Sequence, residues 1–361
     1  MGQPSQPAEV TKFPISWWRH PPQNRLMSAE TSLADTSHRG PIDMHVHIVG
    51  NGLRGSGCRL ELKGGHRWLA DFMLQQLGLK TSWRAPEFDE VYVELLLRWL
   101  RTSVLTHAVI LAHEEVYHED GRRLEFGSLH VPNEYVLRLA QEYPDFLPGI
   151  SIHPARRDAM EELERGLAGG AALLKLLPNC QNVDCSNPAY RPFWERMAAA
   201  GLPLLAHTGG EHTVPQYQPA YANPATLQLP LECGVTVIAA HCATKSGLHD
   251  PDYLPALLKM MERWPNLYGD LSALNLPLRS AGLTTLIQPQ YHARLVHGSD
   301  YPVPVQPRWA QWRGLLTAAQ AGFLREEPNF LERDYHLKLA MGFPPEVFTR
   351  MWDLLRLPGR A

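Results

Sequence analysis

Five short apolar runs in this chain stop at residues able to ligate a metal. They are Asp43-Met44-His45-Val46-His47, Leu173-Leu174-Lys175, Leu204-Leu205-Ala206-His207, Ile238-Ala239-Ala240-His241 and His297-Gly298-Ser299-Asp300. Imidazole nitrogens and a carboxylate oxygen form a divalent-metal site, with Zn²⁺ the first expectation and Mn²⁺, Fe²⁺ or Co²⁺ accepted according to supply. His45 and His47 stand at i and i+2, so on a strand both side chains face the same way. At a buried strand end, an imidazole without a partner costs free energy, and one shared cation satisfies both. The competing reading is a pair of ordinary core or surface histidines. Lys175 lies in an apolar run from Ala171 to Leu177, where an unpaired ammonium is expensive. Asp300 or Glu211 could pair with it, or it could hold a substrate carboxylate.

Residues so far apart in sequence meet only if the fold gathers strand ends at one face. The periodicity predicts eight strands: Ile42 to Val49, His107 to Ala112, Leu147 to Ile152, Ala172 to Leu177, Leu202 to His207, Val235 to His241, Leu267 to Leu271 and Leu295 to Asp300. Amphipathic helical sequence separates them, as with Met160, Leu163 and Leu167, or Phe193, Trp194 and Met197. Alternating strands and helices across roughly residues 41–325 give a parallel sheet with helical crossovers. The expected fold is α/β, a (β/α)₈ TIM barrel, whose active sites lie at the C-terminal ends of its strands. An open doubly wound sheet would gather its ligands at one switch point instead.

Residues 1–40, polar and proline-containing with Trp17 and Trp18, read as an extended N-terminal arm. Residues 41–361 read as a single barrel domain, with extra C-terminal helices over 329–358. The arm and tail make a homodimer the expected assembly. Helical sequence is expected to run from the glycine-rich segment Gly50 to Gly65 as far as Thr102. That glycine-rich segment lacks a phosphate-loop ending and reads as a mobile flap or as an ordinary surface loop.

The bulk numbers exclude several classes. A net charge of −3 with no Lys/Arg block argues against a nucleic-acid surface. No apolar run approaches the roughly 20 residues of a membrane helix. Pro4, Pro7 and Pro14 occupy the place of a secretory apolar core. Five cysteines without C-x-x-C spacing indicate neither a disulfide framework nor a zinc knuckle, so a reducing, cytoplasmic compartment is expected.

The ordered set Asp43-Met44-His45-Val46-His47, His207-Thr208-Gly209, Ala240-His241-Cys242 and Gly298-Ser299-Asp300-Tyr301-Pro302 resembles the amidohydrolase superfamily. Within it the set resembles the amidohydrolase-related (aminocarboxymuconate-semialdehyde decarboxylase-like) family, over residues 41 to about 320. The resemblance implies His45, His47, His207 and Asp300 as metal ligands and Asp300 as proton shuttle. It gives His241 either a catalytic role at the substrate or a place on a second metal. In two-metal members a fourth-strand lysine is carboxylated and bridges the metals, and Lys175 stands in that strand.

Arg54 and Arg59 are candidates to meet an acidic substrate. His153, ending the third strand, faces the same rim as a further substrate-binding candidate. His113 and Glu114 could line the pocket, and Glu211 follows the fifth strand closely. His297 is expected to pack away from Asp300. The implied chemistry is hydrolysis of a C–N or C–O bond (amide, lactone or related) of a small metabolite. The same residues could serve a non-oxidative decarboxylase, and a metal-binding barrel without catalysis is the third reading.

Overall fold

Eight apolar runs become eight parallel strands: Ile42–His47, His107–Leu111, Phe146–Ile150, Leu173–Leu176, Leu204–Ala206, Val237–Ala239, Leu267–Asp270 and Leu295–Val296. They pair in chain order, each with the next. The coordinates are a computed structural model that describes residues 39–357. The expected arm, Trp17 and Trp18 included, lies outside the described residues apart from Arg39 and Gly40.

No ladder joins the eighth strand to the first. Three backbone hydrogen bonds close the barrel there. Asp300 N donates to His45 O at 2.9 Å, His47 N to Tyr301 O at 2.8 Å and Met44 N to His297 O at 3.3 Å. The fold is therefore the expected (β/α)₈ barrel. Most strands are shorter than their apolar runs, because pairing stops where the barrel mouth opens. His207, His241 and Asp300 sit one, two and four residues past the last paired residue of their strands.

The first strand does two jobs. Ile42 and Met44 join the apolar interior with Val109, Leu173, Leu205 and Ile238, while His45 and His47 serve the mouth. Strict alternation would not allow both. An irregular register between Asp43 and Val46 absorbs the change of parity, as bulges do where a side chain must be re-aimed.

The helices cover the outside. Phe88–Arg101 buries Tyr92, Val93, Leu96 and Leu100, with Asp89 and Glu90 in its first turn and Arg98 and Arg101 in its last, an arrangement that suits the helix dipole. Helical sequence from residue 65 onward proves to be two helices, Gly65–Gln76 and Phe88–Arg101. Gly78, at φ +72°, and Pro86 lie in the break. The tail folds as Phe330–Met341, Glu346–Thr349 and Met351–Leu354. Met351, Trp352, Leu355 and Leu357 complete the apolar cluster of the barrel interior.

A two-stranded antiparallel ribbon, Arg59–Leu60 with Leu129–His130, joins the loop after the first strand to the segment after the second. Two residues per strand are too few for a period to show in sequence. Among the described residues, no helix is long and apolar enough to cross a membrane.

Candidate metal centre

The first and eighth strands bring three acceptor atoms together. His45 Nε2 lies 3.2 Å from His47 Nε2, and both lie 3.2 Å from Asp300 Oδ1. His45 is fully buried, and Asp300 is only 8% exposed. Among the described residues, these three form the group whose ligand atoms all lie within 4.8 Å of one another. Asp300 reaches the group with φ 66°, a left-handed backbone that costs a non-glycine residue about 1–3 kcal/mol.

Hydrogen bonding fixes which atoms carry lone pairs. His45 Nδ1 donates to Asp270 Oδ2 at 2.7 Å, so Nε2 faces His47 and Asp300 without a hydrogen. Burial holds His45 well below the ordinary histidine range, with Lys175 and the neighbouring imidazoles pushing the same way. Its ring is therefore neutral. The lone pair of His45 Nε2 and the Asp300 carboxylate oxygen repel one another at this distance unless a positive charge stands beside them, a place the Lys175 amine or a metal cation can take. Donors about 2.0–2.2 Å from one ion at tetrahedral angles stand roughly 3.3–3.6 Å apart. The observed triangle fits a divalent cation of that size, held by mixed N/O donors.

Lys175 touches the same group. Its Nζ lies 3.0 Å from His45 Nε2, and its side chain is 1% exposed. Burial lowers its pKa from 10.5 to about 8, opposed by Asp300, Asp270 and Glu211. The amine meets an imidazole rather than either of the carboxylates expected as partners.

Asp270 ends the seventh strand and ties the two sides of the mouth together. Beyond His45, its Oδ1 accepts from His241 N at 2.6 Å, Ser272 N at 3.1 Å and Ser272 Oγ at 2.5 Å. Ser272 Oγ, with its hydrogen on Asp270, accepts from His241 Nδ1 at 2.8 Å. His241 Nε2 then accepts from His207 Nδ1 at 3.3 Å, leaving a lone pair on His207 Nε2. That atom is buried and has no protein partner. Glu211 stands 3.6 Å from His207 Nδ1, its carboxyl held low by His207 and by hydrogen bonds from Thr213, against the opposing effect of burial. Burial keeps both histidines below the ordinary range. The turn through His241, Cys242 and Ala243 is left-handed at all three residues, with φ 58°, 48° and 53°.

The remaining candidates scatter. Arg54 is half exposed and lies 3.7 Å from both Glu87 and Glu90. Arg59 donates to Glu115 Oε2 at 2.6 Å and lines a cavity of about 610 Å³ with Arg123, His130, Glu114, Tyr117 and Arg156. That cavity lies under the ribbon and is not lined by the metal triad. His153 is buried against Tyr117 and Tyr190, with a pKa lowered to about 4 by burial. It is not part of the triad. His113, also buried, is lowered to about 3. His297 packs on Phe348 as expected. Within the Gly50–Gly65 segment, residues 51–56 are tied to one carboxylate. Asp89 accepts from Asn51 N at 2.6 Å, Gly52 N at 3.1 Å and Ser56 Oγ at 2.5 Å.

Asp270 escaped the sequence reading although its signal was present: an acid closing an apolar strand, Leu267-Tyr268-Gly269-Asp270. Ser272 had no such signal.

A family model described as amidohydrolase matches residues 42–327. A search of curated proteins found no match. Among solved structures, the fold matches an uncharacterised TIM-barrel protein of Bordetella bronchiseptica, 18% identical, with TM-score 0.53 over 84% of this chain and 99% of that one. It also matches a probable 2-pyrone-4,6-dicarboxylic acid hydrolase of Acinetobacter baumannii with citric acid bound, 17% identical. There the TM-score is 0.50 over 88% of this chain and 96% of that one. At such identities the likeness is one of fold.

Proposed function

The chain belongs to the amidohydrolase family, and from that premise we propose that it is a metal-dependent hydrolase cleaving a C–N or C–O bond of a small metabolite. The observation that carries this reading is the triad of facing acceptors, His45 Nε2, His47 Nε2 and Asp300 Oδ1, at 3.2 Å from one another. His45, His47 and Asp300 hold the cation, and His207 joins them through its unpartnered Nε2. Zn²⁺ is the first choice. Such an ion, when bound, supplies Lewis acidity and brings the pKa of a coordinated water to about 7.

The chain's own groups do the rest. Asp300 accepts the proton of the attacking water and returns it to the leaving group. Asp270 holds the His45 ring with its Nε2 aimed at the triad. His241 acts on the substrate carbonyl. That task needs a hydrogen on Nε2, as in the other neutral tautomer, whose Nδ1 accepts from Ser272 Oγ, with the His207 Nδ1 hydrogen turned towards Glu211 Oε2. Lys175, with its pKa brought to about 8, has an amine poised to lose its proton, as carboxylation to a bridging ligand would require.

A carboxy-lyase reading is favoured by one observation: a single three-donor group stands out among the described residues, while His207 and His241 bond to each other. In that reaction Asp300 would protonate the carbon that loses carbon dioxide. Turnover in ¹⁸O-labelled water decides between them. Label entering the product supports the hydrolase, and carbon dioxide release without label supports the lyase. A metal-loaded protein inert to ester, lactone, amide and carboxylate panels would refute both.

A further inference from the structure

The proposed ligands straddle the one junction of the described barrel that no strand ladder joins. His45 and His47 belong to the first strand and Asp300 follows the eighth, and these two strands are the ends of the ladder. The eighth strand pairs with the seventh through Leu295 and Val296 only. From His297 to Asp300 the backbone is held by the bonds Met44 N to His297 O and Asp300 N to His45 O, and by side chains packed around the seam.

Two buried groups hold it. Asp43, fully buried, accepts from His45 N at 3.1 Å and from Ser299 N at 2.9 Å on one oxygen, Oδ1, and so pins the two strand ends together. On the other side is Lys338, from the helix Phe330–Met341, 2% exposed. Its Nζ donates to Gly298 O at 2.8 Å, lies 3.3 Å from His297 Nδ1, and forms an ion pair with Asp334 one turn earlier. Asp334, fully buried, also accepts from Asn275 Nδ2 at 3.2 Å. Gly298 itself presses on the site, since a Cβ there would sit 2.6 Å from His45 Cβ. The gripped carbonyl therefore belongs to a residue packed against one proposed ligand and two positions before another.

We infer that Lys338, paired with Asp334, is a positioning residue that braces Asp300 against His45 across the barrel's closing seam. It lies outside residues 42–327, the span of the family match. Burying an ammonium and a carboxylate is expensive, and apolar side chains would fill a tail helix more cheaply. The ammonium is kept where a strand end without a ladder needs a donor for its carbonyl. The inference rests on the reading that the His45–His47–Asp300 triad is the working site.

The test uses the full chain and the double variant Lys338→Met/Asp334→Leu, which removes both charges and leaves neither buried alone. Two readouts are taken: Co²⁺ affinity by titration against a competing chelator, and the crystal structure of each protein without metal. The brace predicts Co²⁺ binding weakened by about 10–100-fold in the folded variant. It also predicts Asp300 displaced from His45 by more than about 0.5 Å relative to wild type. A purely stabilising role would lower the melting temperature and leave both readouts unchanged, and that result overturns the inference. If wild type takes up no Co²⁺, the metal reading falls, and the metal-free structures alone decide on the brace by whether Asp300 has moved. If the double variant does not fold, Lys338→Gln, too short to hold Gly298 and Asp334 together, is measured against the same two outcomes.

Discussion

Strands one and eight bring His45 Nε2, His47 Nε2 and Asp300 Oδ1 within 3.2 Å of one another, with the Lys175 amine on His45 Nε2, whereas strands five and six bring His207 and His241 together as donor and acceptor. The first group gathers atoms that a divalent cation would hold together. The second is a satisfied chain, running from Asp270 through Ser272 and His241 to His207, with a single lone pair left at its end. Asp270 serves both, orienting His45 through Oδ2 and anchoring the His241 turn through Oδ1. One half is built to hold charge, and the other to keep hydrogens in a fixed order.

The sharpest way to break this contrast is at Asp300. Asp300→Asn keeps the shape but removes the proton acceptor, and kcat should fall by about 10²–10⁴-fold while part of the metal remains. A rate near wild type would remove Asp300 as the shuttle.

Asp270→Asn attacks both halves together. His45 loses the acceptor that orients it, so metal affinity and turnover should each drop by about 10–100-fold. Full metal content with a normal rate would show that the hub is only structural.

His241→Asn should separate the halves. Metal content should stay at the wild-type level while kcat falls by at least about tenfold. Loss of metal instead would place His241 among the ligands and favour a two-metal site.

The smallest effect concerns what the halves share, imidazoles kept neutral by burial. His45, His113, His207 and His241 are all lowered from the usual 6.5, His113 to about 3. Below pH 6.5 the unfolded chain binds protons that the folded one refuses. Stability is thus complete above pH 6.5 and is lost as pH falls from there towards the folded values. For each such histidine the slope is about 1.4 kcal/mol per pH unit. Buried acids such as Asp43, raised to about 7, act in the opposite sense, so the test is the difference: from pH 7 to pH 5 the melting temperature of metal-free wild type should fall relative to that of His113→Asn. A flat difference would contradict the burial account.

Much of this was legible in the sequence. Apolar runs of four to eight residues locate all eight strands, and the ligand residues ending them foretell where the mouth lies. What stayed hidden depends on contacts distant in sequence. The parity change between Met44 and His45 comes from an irregular register, which no alternation rule announces. The loop after the first strand looked mobile from its glycines, but one carboxylate, Asp89, gathers three of its donors. That Arg54 stands beside Glu87 and Glu90 likewise depends on the fold. Lys338 lies in a helix whose apolar pattern hides it, and its meaning appears only when the eighth strand ends against it.

The most direct test of the central claim is elemental analysis of metal per chain in protein purified without chelator, for wild type beside His45→Ala. About one equivalent in wild type and little in the variant is the predicted result, with activity lost alongside the metal. No metal in wild type, and no activity gained on adding Zn²⁺, Mn²⁺, Fe²⁺ or Co²⁺, would mean that the three facing acceptors hold no cation.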